Sequence, residues 1–284
     1  MLARAASQLV LGERRYDLST RALVMGIVNR TPDSFFDQGA YFDLDATLRH
    51  TEALVAAGAD LIDVGGVKAG VGPTVSLGEE LDRVIPAVEA IACRFDVAIS
   101  VDTWNARVAE AAFTAGASLG NDISGFADPA YLQVAARARA GVVATHIRLG
   151  PRIPDPEPVY PDGVVASVEA FLSERRARAI AVGVPEHSII LDAGLDLGKT
   201  PSQSLELLHA SPQLAQLGAP LLLSASNKDF LGVLLDLAVT ERREASLAAV
   251  ALGVSLGCRI LRVHDVAGTR AVVDTLAGIL AATT

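Results

Sequence analysis

One short pattern recurs along this chain, and its clearest copy is the segment 259–265. Its first half is apolar and predicts a buried strand, while the polar Arg262, His264 and Asp265 stand at its carboxyl end. Other apolar runs end in the same way, at Asn29, Asp63, Asp102, Asn121 with Asp122, His146, Asp192, and Ser226 with Lys228. Apolar strands that each end in a polar group are typical of a barrel of parallel strands with its active site at the carboxyl rim.

The spacing of these strands predicts the fold class. Apolar strands alternate with helical patterns from end to end, and about eight such units match the usual size of a (β/α)8 TIM barrel. No linker interrupts the pattern, so residues 1–284 are predicted to form a single domain. Residues 8–18 predict a short N-terminal hairpin that could plug the amino end. An open doubly wound sheet is the rival architecture, and the regular repetition favours closure.

The approximate bounds of the elements follow from the apolar periodicity and from the glycines and prolines that interrupt it. The Pro-rich acidic segment 150–163 predicts a loop. Helix four is predicted to begin near Pro129, which is favoured in a first helical turn. Other predicted bounds are 22–29 for strand one, 44–57 for helix one, 141–147 for strand five, 242–257 for helix seven and 266–281 for helix eight.

Composition excludes several classes of function. The net charge of −9 argues against a nucleic-acid partner, although local positive groups can still attract an anionic small molecule. The longest apolar run, residues 247–258, falls short of the roughly 18 residues of a membrane span. The two cysteines, Cys93 and Cys258, have no metal-type spacing, so both are predicted to be reduced, buried thiols, which is consistent with a cytoplasmic protein.

Seven stretches resemble, in order, the signature motifs of one enzyme family. They are residues 25–35, 63–66, 100–103, 121–125, Asp192 with 198–199, Ser226 with Lys228, and 262–265. Each motif alone is modest, but the ordered set is specific, and on it the chain resembles the dihydropteroate synthase family over nearly its whole length. The resemblance implies a barrel that is usually dimeric. It also implies a reaction that joins a pterin methyl diphosphate to p-aminobenzoate, with magnesium assistance.

The polar strand ends can be interpreted as a pterin site beside that resemblance. The carboxylates of Asp102 and Asp192 and the amide of Asn121 could satisfy the donors and acceptors along one edge of a pterin. Lys228 could donate to a pterin acceptor, and the planar guanidinium of Arg262 could stack on the ring. Any one of these residues alone would more often be a structural strand-end residue. We therefore base the prediction on the whole ordered set.

An anion site is predicted beside the pterin site. Asn29, Arg262 and His264 could together hold a phosphate or diphosphate at the rim, and by resemblance Asn29 would also meet the Mg²⁺ cofactor. No catalytic residue is assigned. His146 matches a family histidine, but a satisfied core histidine is at least as good an interpretation, and Asp122 is interpreted as a strand-end or cap residue.

The chain departs from the family pattern where the second substrate and the diphosphate are expected. Residues 67–71 replace the family's Glu-Ser-Thr-Arg-Pro, so the loop lacks the Thr and Arg of that motif. Phe36 and Gln38 alter the first loop. Asn227 and Asp229 replace an Arg and a Ser, and this change predicts repulsion of a carboxylate. In the sixth loop, Asp196 and Leu197 replace a glycine and an aromatic residue.

These departures favour a dihydropteroate synthase-like barrel that binds a pterin or a related anionic small molecule and lacks efficient synthase activity. The chain is most similar to the divergent, inactive second homologue that some actinobacteria carry beside an ordinary synthase. The alternative is an active dihydropteroate synthase of folate biosynthesis. A relative of the methyltetrahydrofolate methyltransferases is a third possibility, which the anion motifs fit less well. The apolar run 247–258 on helix seven predicts a homodimer built from late helices.

Overall fold

The computed structural model describes residues 7–31, 43–70 and 72–282, and its centre is a closed barrel of eight parallel strands in the order β10-β3-β4-β5-β6-β7-β8-β9. An antiparallel hairpin of β1 (Gln8–Leu11) and β2 (Arg14–Asp17) precedes it. The barrel strands are β3 (Leu23–Asn29), β4 (Leu61–Gly65), β5 (Ala98–Asp102), β6 (Leu119–Asp122), β7 (Gly141–Thr145), β8 (Ile189–Asp192), β9 (Leu221–Leu223) and β10 (Cys258–Val263). The predicted TIM barrel with an N-terminal hairpin is confirmed.

Helices surround the barrel and connect its strands. They are α1 (Leu44–Ala56), α2 (Leu77–Arg94), α3 (Ala106–Thr114), α4 (Tyr131–Ala138), α5 (Val164–Val182), α6 (Pro201–His209), α7 (Ser211–Leu214), α8 (Asp229–Leu235), α9 (Arg243–Ser255) and α10 (Val266–Ala281). Among the described residues, none of these helices is long and apolar enough to cross a membrane.

Most predicted bounds agree with these elements to within two residues. Helix eight begins and ends where it was predicted, whereas strand five ends at Thr145 instead of residue 147, and helix four begins two residues after Pro129. The short helix α8 was not predicted, because seven residues are too few to give a clear apolar period.

Local side-chain bonds explain where several helices begin. The side chain of Ser76 accepts a hydrogen bond from the backbone N–H of Glu79 at the start of α2. At the start of α6, Thr200 and Gln203 form a reciprocal capping box. Asp265, which follows β10, accepts from the backbone N–H of Gly268 and begins α10. These caps satisfy N–H groups that have no partner within the helix.

The barrel interior changes from apolar to polar along the strand direction. Leu9 and Leu11 of the hairpin are buried with the lower interior side chains, which are Leu18, Leu23, Met25, Leu61, Ala98, Leu119, Val143, Ile190, Leu222 and Ile260. The hairpin therefore closes the amino-terminal end of the barrel. Above this layer the register places Asp63 opposite Ser100, and Asp102 opposite Asn121. The polar side chains consequently meet at the carboxyl end.

Candidate functional site

A small cavity of about 50 Å³ lies at the carboxyl end of the barrel. Its walls combine polar and apolar side chains from seven consecutive regions of the chain. They are Ala69, Asp102, Asn121, Ile123, Thr145, Asp192, Gly194, Leu195, Leu197, Ser224, Lys228 and Arg262. All five residues predicted to contact a pterin, namely Asp102, Asn121, Asp192, Lys228 and Arg262, are brought together here.

Arg262 is held between two carboxylates inside the barrel. Its Nε lies 2.6 Å from Oδ2 of Asp63, and its Nη2 lies 2.7 Å from Oδ2 of Asp102. The amide Nδ2 of Asn121 donates to the same oxygen of Asp63 at 3.1 Å. Two carboxylates therefore fix the plane of the guanidinium, and one of them also orients Asn121.

Burial sets the protonation of this group. Burial raises the pKa of Asp102 to about 7; Arg262 opposes the rise, and the charges of Asp63, Glu80 and Asp122 add to it. Burial lowers the pKa of Arg262, but Asp63 and Asp102 together outweigh that effect and hold it above its ordinary value. Arg262 is therefore a permanent cation, while Asp102 changes charge close to neutral pH.

Asp192, at the end of β8, and Lys228, which follows β9, also line the cavity. Oδ1 of Asp192 accepts a hydrogen bond of 2.8 Å from the backbone N–H of Gly194. Burial raises the pKa of Asp192, and the Gly194 bond and then the nearby Lys228 lower it. Nζ of Lys228 donates to the carbonyl of Leu195 at 3.2 Å. The cavity thus presents carboxylates and an amide as well as an ammonium group.

His146 belongs to a buried cluster behind this wall. Nζ of Lys199 lies 2.9 Å from Nδ1 of His146, and it also donates to the carbonyls of His146 and Leu197 at 3.1 and 2.9 Å. Burial lowers the pKa of His146 to about 3 and that of Lys199 to about 7. Phe171 packs edge-on against the imidazole, with ring centroids 4.8 Å apart. This geometry agrees with a satisfied core histidine, and it fixes the loop that carries Leu197.

The predicted anion trio is spread over a wider area than the pterin set. Nδ1 of His264 lies 3.0 Å from Oγ of Ser226, and His264 lines a neighbouring cavity of about 190 Å³ that also includes Asn227 and Ser246. Asn29 ends β3, in register with Gly65 of β4. Among the three, Arg262 alone lines the cavity with the pterin set.

The charge at the start of α8 differs from the sequence expectation, because Asp229 has a cationic partner. The carboxylate of Asp229 is paired with Arg242, with Nη1 and Oδ1 2.7 Å apart, and its side chain is 79% exposed. Oδ2 of Asp196 accepts from the backbone N–H groups of Asp229 and Phe230 at 2.7 and 3.4 Å. The sequence did not reveal that Arg242 neutralises Asp229 or that Asp196 accepts from the start of α8. A comparison with the family motif considers one position at a time and does not show which side chains from other segments are in contact.

The two loops that depart most from the family pattern are described only in part. Phe36 and Gln38 lie outside the described residues, as does Val71. Val67 is buried, and the guanidinium of Arg83 on α2 donates to the carbonyl of Gly66 at 2.9 Å. From the β7–α5 loop, Nη2 of Arg152 reaches the carbonyl of Pro73 at 2.5 Å. Helix α2 and the β7–α5 loop therefore hold the two ends of this second loop.

A carboxyl-rim cavity with carboxylates, an amide and a fixed guanidinium agrees with the family match. Residues 25–264 match the family described as pterin binding enzyme, and the chain belongs to that family. It is 45% identical over 266 residues to "Inactive dihydropteroate synthase 2" of Mycobacterium leprae, a match that covers 91% of each protein. It is also 43% identical over 248 residues to "Dihydropteroate synthase" of Bacillus subtilis, covering 87% of this chain and 84% of that protein.

Solved structures show the same barrel. Dihydropteroate synthase of Yersinia pestis in a sulfonamide drug complex superposes with a TM-score of 0.92 at 37% identity, covering 96% of this chain and 99% of that one. The Xanthomonas albilineans enzyme with 4-aminobenzoic acid gives a TM-score of 0.87 at 36% identity, covering 98% and 99%. The resemblance drawn from the sequence motifs is therefore confirmed.

Proposed function

We propose that this protein binds a pterin, or a closely related anionic ring compound, and has lost efficient dihydropteroate synthesis. The observation that carries this proposal is the convergence of Asp102, Asn121, Asp192, Lys228 and Arg262 on one cavity. A pterin edge carries both N–H donors and ring-nitrogen acceptors, and this set offers matching acceptors and donors. Arg262 lines the same cavity and supplies a planar cation on which a ring can stack.

The residues that would contact p-aminobenzoate and the diphosphate support the proposed loss of dihydropteroate synthesis. Residues 67–71 carry no arginine, and the buried Val67 stands first in the segment that replaces a polar motif. The carboxylate of Asp196 accepts hydrogen bonds from the backbone N–H groups of Asp229 and Phe230, so these groups are already occupied and do not serve a substrate carboxylate. Removing one preorganised polar group from an active site costs roughly 100- to 1,000-fold in turnover, so several such losses leave little activity.

Magnesium is proposed as a partner of the diphosphate rather than as a resident ion. Magnesium typically binds one or two protein oxygens together with substrate phosphates. The amide oxygen of Asn29 fits that pattern, and among the described residues no group of three His, Cys, Asp or Glu side chains could hold a metal. When bound, the ion would neutralise diphosphate charge. Asn29, Arg262 and His264 would orient that anion at the rim.

A homodimer built from the late helices is also proposed. Val233, Leu234 and Leu235 of α8 are each more than half exposed, and Leu252 of α9 is 48% exposed. Neighbouring large apolar side chains on a surface mark a contact area.

A cytoplasmic location is proposed from the two free thiols. Cys258 is buried as predicted, whereas the prediction of burial is wrong for Cys93, which is exposed on the last turn of α2. Two thiols that remain free fit a reducing cytoplasm.

Two measurements with purified protein test the proposal. Calorimetric titration with 6-hydroxymethylpterin should show binding, and an assay with the pterin diphosphate, p-aminobenzoate and Mg²⁺ should show little or no dihydropteroate. The nearly equal identities to an inactive and an active synthase keep active synthesis as the second candidate. Turnover within about tenfold of an ordinary synthase would establish that candidate instead, and the absence of any pterin binding would remove the proposal.

A further inference from the structure

We infer that Asp63 is the positioning residue of the pterin pocket: it holds Arg262 and Asn121 in their binding orientations and acts as the resident counter-ion of Arg262. The inference rests on the proposed pterin-binding function. Asp63 is 0% exposed and lies in the middle of β4, whereas the cavity is lined from the next strand by Asp102. Asp63 therefore acts from beneath the pocket, through the two side chains that it contacts.

A single oxygen makes both of these contacts. Oδ2 of Asp63 accepts from Nε of Arg262 at 2.6 Å and from Nδ2 of Asn121 at 3.1 Å. The bond to Nε fixes the inner edge of the guanidinium, and the bond to Nδ2 fixes which way the amide of Asn121 faces. Because Nδ2 of Asn121 is engaged below, its amide oxygen is left to accept from a ligand.

Asp63 and Asp102 have different surroundings although they share the same arginine. The side chain of Asp102 is 15% exposed and lines the cavity, while that of Asp63 is fully buried. A ligand that donates hydrogen bonds to the carboxylate of Asp102 would weaken the bond that Asp102 accepts from Nη2 of Arg262. The Asp63 bond would remain and keep the guanidinium in place. If Asp102 were the only partner of Arg262, ligand binding would release the guanidinium from its orientation.

The charge of Asp63 also affects the proton affinity of Asp102. The groups that act on the Asp102 carboxyl are Arg262, Asp63, Glu80 and Asp122, and Asp192 and Lys228 line the same cavity. Removing the negative charge of Asp63 leaves Arg262 to pair with Asp102 alone, which favours the ionised form of Asp102. An Asp63→Asn variant should therefore ionise Asp102 at a lower pH than the wild type does.

The test compares Asp63→Asn with Asp60→Asn. Asp60 lies just before β4 at the other end of the barrel, where it pairs with Arg21 at 2.6 Å and with Arg270 at 2.8 Å. Both substitutions thus remove a largely buried, arginine-paired carboxylate without changing its size. Affinity for 6-hydroxymethylpterin is measured by calorimetry from about pH 5.5 to about pH 7.5, and folding is monitored by thermal unfolding.

We expect Asp63→Asn to weaken pterin binding by roughly 10- to 100-fold, as expected when a hydrogen bond to a charged group is disturbed, and to move the acidic loss of affinity to lower pH. Asp60→Asn should lower the melting temperature and leave both the affinity and its pH profile unchanged. Equal affinities for Asp63→Asn and the wild type, or an unshifted pH profile, would overturn the inference.

A ligand-free readout separates this inference from the proposed function. The Hε proton of Arg262 should exchange slowly with solvent in the wild type, because Asp63 holds it in the barrel interior, and its NMR signal should exchange much faster in Asp63→Asn. Absence of pterin binding by the wild type would end the proposed function while this signal still tests Asp63. An Hε proton that exchanges equally fast in both proteins would end the inference about Asp63.

Discussion

The guanidinium of Arg242 lies 2.7 Å from the carboxylate of Asp229, and the same Nη1 donates to the carbonyl of Asn227 at 2.9 Å. The charge that Asp229 introduces is thus neutralised by an arginine from the next segment, and it does not reach the cavity as an isolated negative charge. If the protein excludes the carboxylate of p-aminobenzoate, as we propose, that exclusion would depend more on Asp196, whose carboxylate accepts from the N–H groups of Asp229 and Phe230.

Asp229→Ser is expected to leave dihydropteroate formation within roughly fivefold of the wild-type value, because an exposed salt bridge contributes at most about 1 kcal/mol. Product formation from the pterin diphosphate and p-aminobenzoate is the measurement. Asp196→Gly serves as the comparison, since Asp196 has a φ of +65° that glycine adopts readily. A tenfold or larger gain from Asp229→Ser alone would show that its charge does repel p-aminobenzoate.

Arg262→Ala is expected to abolish measurable pterin binding and to lower the free energy of unfolding by about 3–5 kcal/mol, because it leaves the fully buried Asp63 without its cation. Urea unfolding and pterin titration measure the two effects. Phosphate or diphosphate affinity should fall as well, and an unchanged value would show that Arg262 is not part of the anion site. The control, Arg14→Ala, removes an arginine whose partner Asp96 is exposed, and it should change neither stability nor binding appreciably.

The barrel was predictable because its pattern is local. Each strand pairs an apolar run with a polar end, and each helix has its own apolar period, so the fold followed from residues read one segment at a time. The candidate pterin set came instead from the ordered resemblance to the dihydropteroate synthase family. The pairing of side chains was not predictable: Arg262 on β10 contacts Asp63 on β4, with β3 between them, and Arg242 neutralises Asp229 from the segment that follows α8. Such pairs depend on register and side-chain direction, which a single sequence does not contain.

Pterin affinity should fall as the pH falls through about 7, because Asp102 has its pKa raised to about 7 and must be ionised to accept N–H donors. The effect of pH on folding stability has the opposite sign. The folded-state pKa lies above the value of 3.8 for a free side chain, so between these values the folded state binds more protons than the unfolded state. This group therefore makes unfolding easier as the pH rises from about 4 to about 7.

The pH effects are measured by pterin titration and by denaturant unfolding across this range, with Asp102→Asn as the comparison. That variant cannot titrate at this position, so its binding should be weak and nearly independent of pH. Wild-type affinity that stays constant down to about pH 5 would show that Asp102 is ionised throughout this range. It would contradict the conclusion that burial raises the pKa of Asp102.

Leu234→Glu on α8 is expected to convert a dimer into a monomer in light scattering at micromolar concentration. Leu234 is 54% exposed, so it is available to a second copy, and a glutamate in a buried interface would lack a partner charge. The matched control is Leu149→Glu, since Leu149 is 49% exposed in the β7–α5 loop, outside the late helices. A wild-type protein that is monomeric under these conditions would contradict the proposed dimer.

The second loop provides the last prediction, because it is the largest departure from the family motif. The wild type should form little or no dihydropteroate with the pterin diphosphate, p-aminobenzoate and Mg²⁺. Replacing residues 67–71 by Glu-Ser-Thr-Arg-Pro should raise turnover, since the graft restores a guanidinium and a hydroxyl near the reacting groups. The gain should remain partial, because Asp196 still occupies the N–H groups of Asp229 and Phe230.

Adding Asp196→Gly to the grafted loop should increase turnover further. The two changes should combine by more than the product of their separate effects, because both reactants must be held at once and a displacement of about 1 Å costs about 100-fold. Pterin affinity is the control, and Asp196→Gly alone should leave it unchanged, since Asp102, Asn121, Asp192, Lys228 and Arg262 are unchanged. The graft also replaces Ala69 of the cavity wall, so turnover of all four proteins is compared at saturating pterin diphosphate. A graft that leaves turnover at background even with Asp196→Gly would show that the lost activity originates elsewhere in the chain.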